Sequence, residues 1–391
     1  MTETEDYENR LNQLRMERKR KNLRLAIIIP AILLLCLFVA CLIYLSKVSY
    51  KGYSVIKTFD DESVSSTDKY QMFGNDLIMY NNDGIQGIGS DGNSLWSQAY
   101  DMQSPMLDIC GGYLCIADSQ GKEIFVIDSS GNINTIKVSM EIEQLKVSSV
   151  GTVIAVLDDG NKKYLTYYDK EGTLLAQGTV QMKKSGFPMD IDLSYDGKML
   201  AVSYLYITTG QMQTNVAFYN FDSVGKSEID NIVSSYSYRG IMIPDIEFMS
   251  NGNAVMFGDD RIIIYNNSEK PTELLKIDLD KEVSSIFYSD KNFGIATKNH
   301  ENGGTIVIYN ADGKEKSKFN TDLNFDAIEF DKNTIIAKNS TSVRIYRNNG
   351  KLKFSYDFED NLYNILSVKT LLPVSNYLLV TRDSIQKISL R

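Results

Sequence analysis

Glu123-Ile124-Phe125-Val126-Ile127-Asp128-Ser129-Ser130-Gly131-Asn132-Ile133-Asn134-Thr135-Ile136-Lys137-Val138 reads as a strand, a tight polar turn and a second strand. Its first half is β-branched and aromatic, residues 128–132 are turn formers, and its second half alternates apolar with polar. The same phrase recurs at residues 84–100, 163–180, 214–233, 261–277, 304–319 and 342–358. The turns centre on Gly92, Gly131, Gly172, Gly225, Pro271, Gly313 and Gly350. They lie roughly 37 to 53 residues apart, the period of four-stranded propeller blades. The repeat therefore predicts an all-β fold, a β-propeller.

Working outward, each phrase gains two preceding strands. Blade 1 takes residues 70–73, 77–80, 85–88 and 95–100, and blade 2 takes 106–109, 114–117, 124–128 and 133–138. After the seventh phrase the chain still offers strands at 365–371, 377–381 and 384–390, one short of a blade. Residues 53–59 form a strand with no blade of its own, and pairing it there closes the ring and removes two open edges. That closure predicts eight blades, and seven is the alternative if 53–59 only links the domain to what precedes it.

Residues 25–45, from Leu25 to Leu45, carry no charge. As a helix they reach roughly 31 Å, the thickness of a bilayer core, so one N-terminal transmembrane helix is expected. Arg10, Arg15, Arg18, Lys19, Arg20, Lys21 and Arg24 precede it, against Lys47, Lys51 and Lys57 just after. The positive-inside rule places residues 1–24 in the cytoplasm as a basic tail and 46–391 outside the cell. A cleavable signal peptide, or a lipoprotein signal at Phe38-Val39-Ala40-Cys41, is the competing reading. The whole chain carries a net charge of −9 and its tail is net basic, so the exported part is more acidic still. That balance argues against nucleic acid as a partner.

Chemistry is sparse. The single histidine, His300, sits in a Gly-rich turn, and no Ser/His/Asp arrangement or zinc-ligand spacing accompanies it. Gly92-Asn93-Ser94-Leu95-Trp96 matches the Gly-x-x-x-Trp of quinoprotein blades, yet Trp96 is the only tryptophan and reads as a packing aromatic. Asp83, Asp91, Asp196 and Asp312 each precede a glycine, which is turn chemistry rather than a calcium loop. Cys110 and Cys115 flank a hairpin and are either a disulfide or two buried thiols. No catalytic, cofactor-binding or metal-binding residues are assigned.

What remains is a face. Loops joining outer to next inner strand, and second to third strand, share one side of a propeller. There the sequence gathers Lys162, Lys163, Lys183, Lys184, the insertion 206–214, and a candidate binding face of Phe187, Tyr206, Tyr236, Tyr238, Arg239 and His300. Aromatics beside cations suit a protein or glycan contact.

Ser185-Gly186-Phe187-Pro188-Met189-Asp190-Ile191-Asp192-Leu193-Ser194 is followed by Asp196-Gly197 and by Leu200-Ala201-Val202-Ser203-Tyr204. With Phe218-Tyr219-Asn220-Phe221, Val224-Gly225, Asp91-Gly92 and Leu95-Trp96, this resembles an uncharacterised Firmicutes (Clostridia-type) membrane protein family, domain-of-unknown-function family 5711. The resemblance implies a single-pass protein with a WD40-like or PQQ-like, quinoprotein-type propeller outside the cell, and implies no activity. The expected function is a nonenzymatic binding or scaffold module for an envelope protein or cell-wall polymer. The alternative is an envelope enzyme, quinoprotein-like or a glycan hydrolase.

Overall fold

The computed structural model describes residues 16, 19, 21, 26, 28–40, 47–59, 64–65, 67–180, 182–183, 185–208, 210–299, 302–359, 361–368 and 375–391. The chain divides into two compact units, Met1–Tyr50 and Lys51–Arg391.

In the first unit, described residues 28–40 form a helix. Its apolar side chains are exposed all round, from Ile28 and Ile29 through Leu33 and Leu34 to Phe38 and Val39. Among the described residues no helix is long and apolar enough to cross a membrane. Positions 25, 27 and 41–45 of the expected span lie outside the described residues.

The second unit holds eight four-stranded antiparallel sheets, each running inner to outer in chain order except the one that closes the ring. The inner strands are Lys69–Phe73 in blade 1, Pro105–Cys110 in blade 2, Glu141–Val147 in blade 3 and Phe187–Leu193 in blade 4. Those of blades 5 to 8 are Asp245–Phe248, Ser285–Tyr288, Ala327–Asp331 and Leu362–Ser367. Blade 8 then adds Asn376–Thr381 and Ile385–Leu390, and Tyr53–Phe59 pairs antiparallel with the last of these, from Tyr53 opposite Leu390 to Phe59 opposite Ile385. The ring is thus closed by its own N-terminal strand, as the count of strands required, and blade number eight holds. Asn364 Nδ2 of blade 8 donates to the Tyr70 carbonyl of blade 1 at 3.0 Å, carrying the inner wall across the closure.

The repeated turn does two jobs. In blade 2, Asp128 Oδ1 accepts the amides of Ser130 and Asn132 at 2.9 and 3.0 Å, an Asx turn that fixes the hairpin. Gly131 then takes φ +81, and a Cβ there would stand 2.4 Å from the Trp96 ring on the outer strand of blade 1. A side chain is excluded twice over, by conformation and by the neighbouring blade. The same wedge recurs where Phe59 of blade 8 meets Gly92, and where Phe319 of blade 6 meets Gly350. Trp96 is therefore a knob in a slot between blades.

Between blades the core is apolar. Ile154, Val156, Leu165, Ile191, Leu200 and Val202 fill the space between blades 3 and 4, all buried. Ala201, Phe218, Ile246, Phe248, Met256 and Ile263 do so between blades 4 and 5. The second and third strands read as continuous apolar runs because both of their faces are covered by neighbouring blades.

Candidate functional site

Blade 4 departs from its neighbours. Its middle strands, Met199–Thr208 and Gln211–Asn220, each have 10 residues, whereas the corresponding strands of other blades have 4 to 7. Pairing runs unbroken from Met199 opposite Asn220 to Thr208 opposite Gln211. The stretch read from sequence as a loop insertion is a hairpin that continues the sheet beyond the neighbouring blades. Ile207 near its tip is 67% exposed. Tyr206, Gln213 and Arg239 stand in one cross-strand row, directly opposite one another on three adjacent strands. Phe187, 45% exposed at the start of the inner strand, carries the Lys163 ammonium 4.6 Å over its ring.

Other members of the expected face go elsewhere. Tyr238 is 9% exposed, and its hydroxyl bonds Tyr265 and Glu273 of blade 5. Tyr236 donates to the Pro271 carbonyl at 2.8 Å and tilts against the Tyr265 ring, with centroids 4.9 Å apart. Both belong to the packing between blades 4 and 5, which corrects their assignment to an exposed patch. The physical reason is a longer turn: two 3-10 turns, Gly225–Ser227 and Ile229–Asn231, precede the outer strand, which is Ile232–Arg239. The tyrosines therefore lie within that strand rather than in the loop after it. Lys163 is also no surface cation, being buried between Glu143 and Asp158, the latter at 3.0 Å. His300 lies outside the described residues. Of the six expected residues, the structure groups Tyr206 with Arg239, leaves Phe187 exposed over Lys163, and withdraws Tyr236 and Tyr238.

Cys110 and Cys115 are free thiols. Cys110 pairs with Tyr113 and Cys115 with Asp108 across the hairpin, so the two cysteines are not opposite each other. Burial, with Asp108 and other carboxylates nearby, pushes the Cys110 thiol up to about 12. Such a thiol is a poor nucleophile.

The sequence reading missed the wall of the central channel. Alternate residues of the inner strands in blades 2 to 5 include Asp108, Lys146, Asp190, Asp192, Asp245 and Glu247. Lys146 Nζ lies 3.5 Å from Asp192 Oδ1 and 3.9 Å from Asp108 Oδ1. Several carboxylates reach to the next blade. Asp108 Oδ2 accepts the Val147 amide at 2.8 Å, Asp190 Oδ2 the Ile246 amide at 2.7 Å, and Asp192 Oδ2 the Phe248 amide at 2.6 Å. Asp331 of blade 7 does the same to the Ser367 amide of blade 8 at 2.5 Å. Gln144 Nε2 adds a 3.0 Å bond to the Met189 carbonyl.

Burial dominates the electrostatics of this wall. It pushes Asp190, Asp192 and Asp245 up to about 6 each, with Lys146 pulling the other way, and lifts Glu247 well above the usual carboxylate range. Burial alone would lower Lys146, but Asp192, Asp108 and Glu247 outweigh it and keep the ammonium charged. Among the described residues, no group of three or more His, Cys, Asp or Glu side chains is arranged to hold a metal ion. On the face opposite the long hairpin, a cleft of about 390 Å³ includes Tyr195, Asp196, Lys198, Asp222, Asn267 and Glu269, with Lys198 paired to Asp222 at 2.9 Å.

Comparison with known proteins agrees with this architecture. A family described as a family of unknown function, DUF5711, matches residues 46–390. No curated protein sequence matches. Among solved structures, BamB from Moraxella catarrhalis is similar at TM-score 0.52 and 9% identity, over 87% of this chain and 100% of that one. Saccharomyces cerevisiae Sqt1 is similar at TM-score 0.55 and 12% identity, over 88% of this chain and 100% of that one. At these identities the likeness shows the fold alone, a β-propeller.

Proposed function

The chain belongs to the DUF5711 family, and we propose that it is a membrane-anchored, nonenzymatic binding module that holds an envelope protein or cell-wall polymer outside the cell. One observation carries the proposal: among the described strands blade 4 alone extends its middle hairpin, and it presents Ile207, Phe187 and Arg239 to solvent there. An exposed aliphatic tip beside an aromatic and a guanidinium combines the apolar anchor and polar rim that contact surfaces use. The extra length exceeds the 4 to 7 residues of the corresponding strands, and it serves a contact outside the ring.

The anchor is residues 25–45, with the basic tail 1–24 in the cytoplasm. Its support is the uncharged run and the flanking charge asymmetry. An apolar helix exposed all round, as at 28–40, suits lipid better than water.

Whole-cell chemical crosslinking of wild type against a Phe187→Ala/Ile207→Asp variant tests the assignment. The variant is expected to reach the membrane at wild-type level and to lose the wild-type adduct. An unchanged adduct pattern places the contact elsewhere.

A further inference from the structure

Around Lys146 the channel wall brings five carboxyls from three blades to face one ammonium. Asp108 comes from blade 2, Asp190 and Asp192 from blade 4, and Asp245 and Glu247 from blade 5. The other titratable groups electrostatically felt there are Cys110 with Cys115 behind it in blade 2, and Tyr288 in blade 6. The two carboxylates of blade 4 grip the backbone of blade 5 at the strand that itself carries Asp245 and Glu247. The latch and the charges that repel it therefore share one seam.

We propose that the inner seam between blades 4 and 5 is proton-operated: as pH falls from neutral toward about 5, the cluster takes up protons and the blades hold together more firmly. A protonated Asp190 or Asp192 still accepts the Ile246 or Phe248 amide through its carbonyl oxygen, so the latch survives while the repulsion goes. With all five carboxyls ionised, Lys146 is the one ammonium among the described residues that offsets them, and it lies within 4 Å of Asp108 and Asp192 only.

The sign follows from linkage. Burial raises the pKa of Asp190, Asp192 and Asp245 to about 6, so the folded state binds these protons more tightly than the unfolded one. Their stabilisation is complete below the unfolded carboxyl range and is lost as pH rises through about 6. Turn aspartates act oppositely. Asp222, for example, is held low by its bond to Lys198, so its contribution is lost only under more acidic conditions. The two regimes separate, leaving greatest stability on the mildly acidic side of neutral.

Urea midpoints of the full chain in detergent, at pH 7.5, 6.5 and 5.5, test the proposal. The wild-type midpoint is expected to rise as pH falls. Asp190→Asn with Glu247→Gln should flatten that rise and lift the pH 7.5 midpoint. Lys146→Met should lower the midpoint far more at pH 7.5 than at pH 5.5, a difference that a merely structural lysine does not produce. An equal loss at both pH values, or a double variant that keeps the wild-type slope, overturns the proposal. If a variant fails to fold, wild-type amide exchange decides. Protection of Ile246 and Phe248, corrected for intrinsic rates, should be several-fold greater at pH 5.5, and equal or lower protection overturns it.

Discussion

At the rim of the ring and at its inner wall, neighbouring blades are joined by opposite chemistries. The rim uses uncharged wedges: Trp96 under Gly131, Phe59 under Gly92, Phe319 under Gly350. The inner wall uses ionisable latches, with Asp108, Asp190, Asp192 and Asp331 each gripping a backbone amide of the next blade. Apolar wedging is indifferent to pH, whereas a carboxylate wall is not. The ring's shape and its response to protons therefore reside in different places and can be broken separately.

The most damaging break removes neither seam but the ring itself. Truncation after Ser367 deletes Asn376–Thr381 and Ile385–Leu390 and leaves Tyr53–Phe59 without a partner. Loss of the cooperative urea transition, followed by circular dichroism, is the expected outcome. At the inner wall, Lys146→Met should cost about 3–5 kcal/mol at pH 7.5, because it strands buried carboxylates, and less at pH 5.5. At the rim, Gly131→Val should cost about 2–4 kcal/mol through the left-handed conformation and the clash with Trp96. That cost should be the same at both pH values, which sharpens the contrast with Lys146. Phe187→Ala, which touches neither seam's core, should cost below about 1 kcal/mol in the same urea titration, the size of a lost cation–π contact with Lys163.

The difference between rim and wall also marks what a single sequence discloses. The rim was legible because its glycine slots sit in a turn with distinctive residues, such as Asp128 to Asn132 around Gly131, and the closing strand because blade 8 was otherwise one strand short. The wall was not, because period-2 alternation looks the same whether the polar side meets bulk water or the inside of the ring. Asp190, Asp192 and Glu247 carry no local sign of which they face. Alternating carboxylates repeated on inner strands of consecutive blades were the available signal.

Blade 4 shows the other limit. An irregular turn at 225–231 moved its outer strand to Ile232–Arg239, so Tyr236 and Tyr238 pack on Tyr265 instead of facing solvent. The spacing of glycines locates a turn but not its length. Its extended hairpin, by contrast, was visible as extra residues between two strands. Only the structure shows that those residues lengthen a ladder, with Tyr206, Gln213 and Arg239 in one row.

Site-specific photocrosslinking in living cells tests whether that hairpin holds a partner. A photoreactive side chain at Ile207 is compared with one at Leu175, which is 51% exposed on the outer strand of blade 3. A discrete envelope adduct is expected from position 207 and none from position 175. No adduct at 207, or the same adducts from both positions, would contradict it.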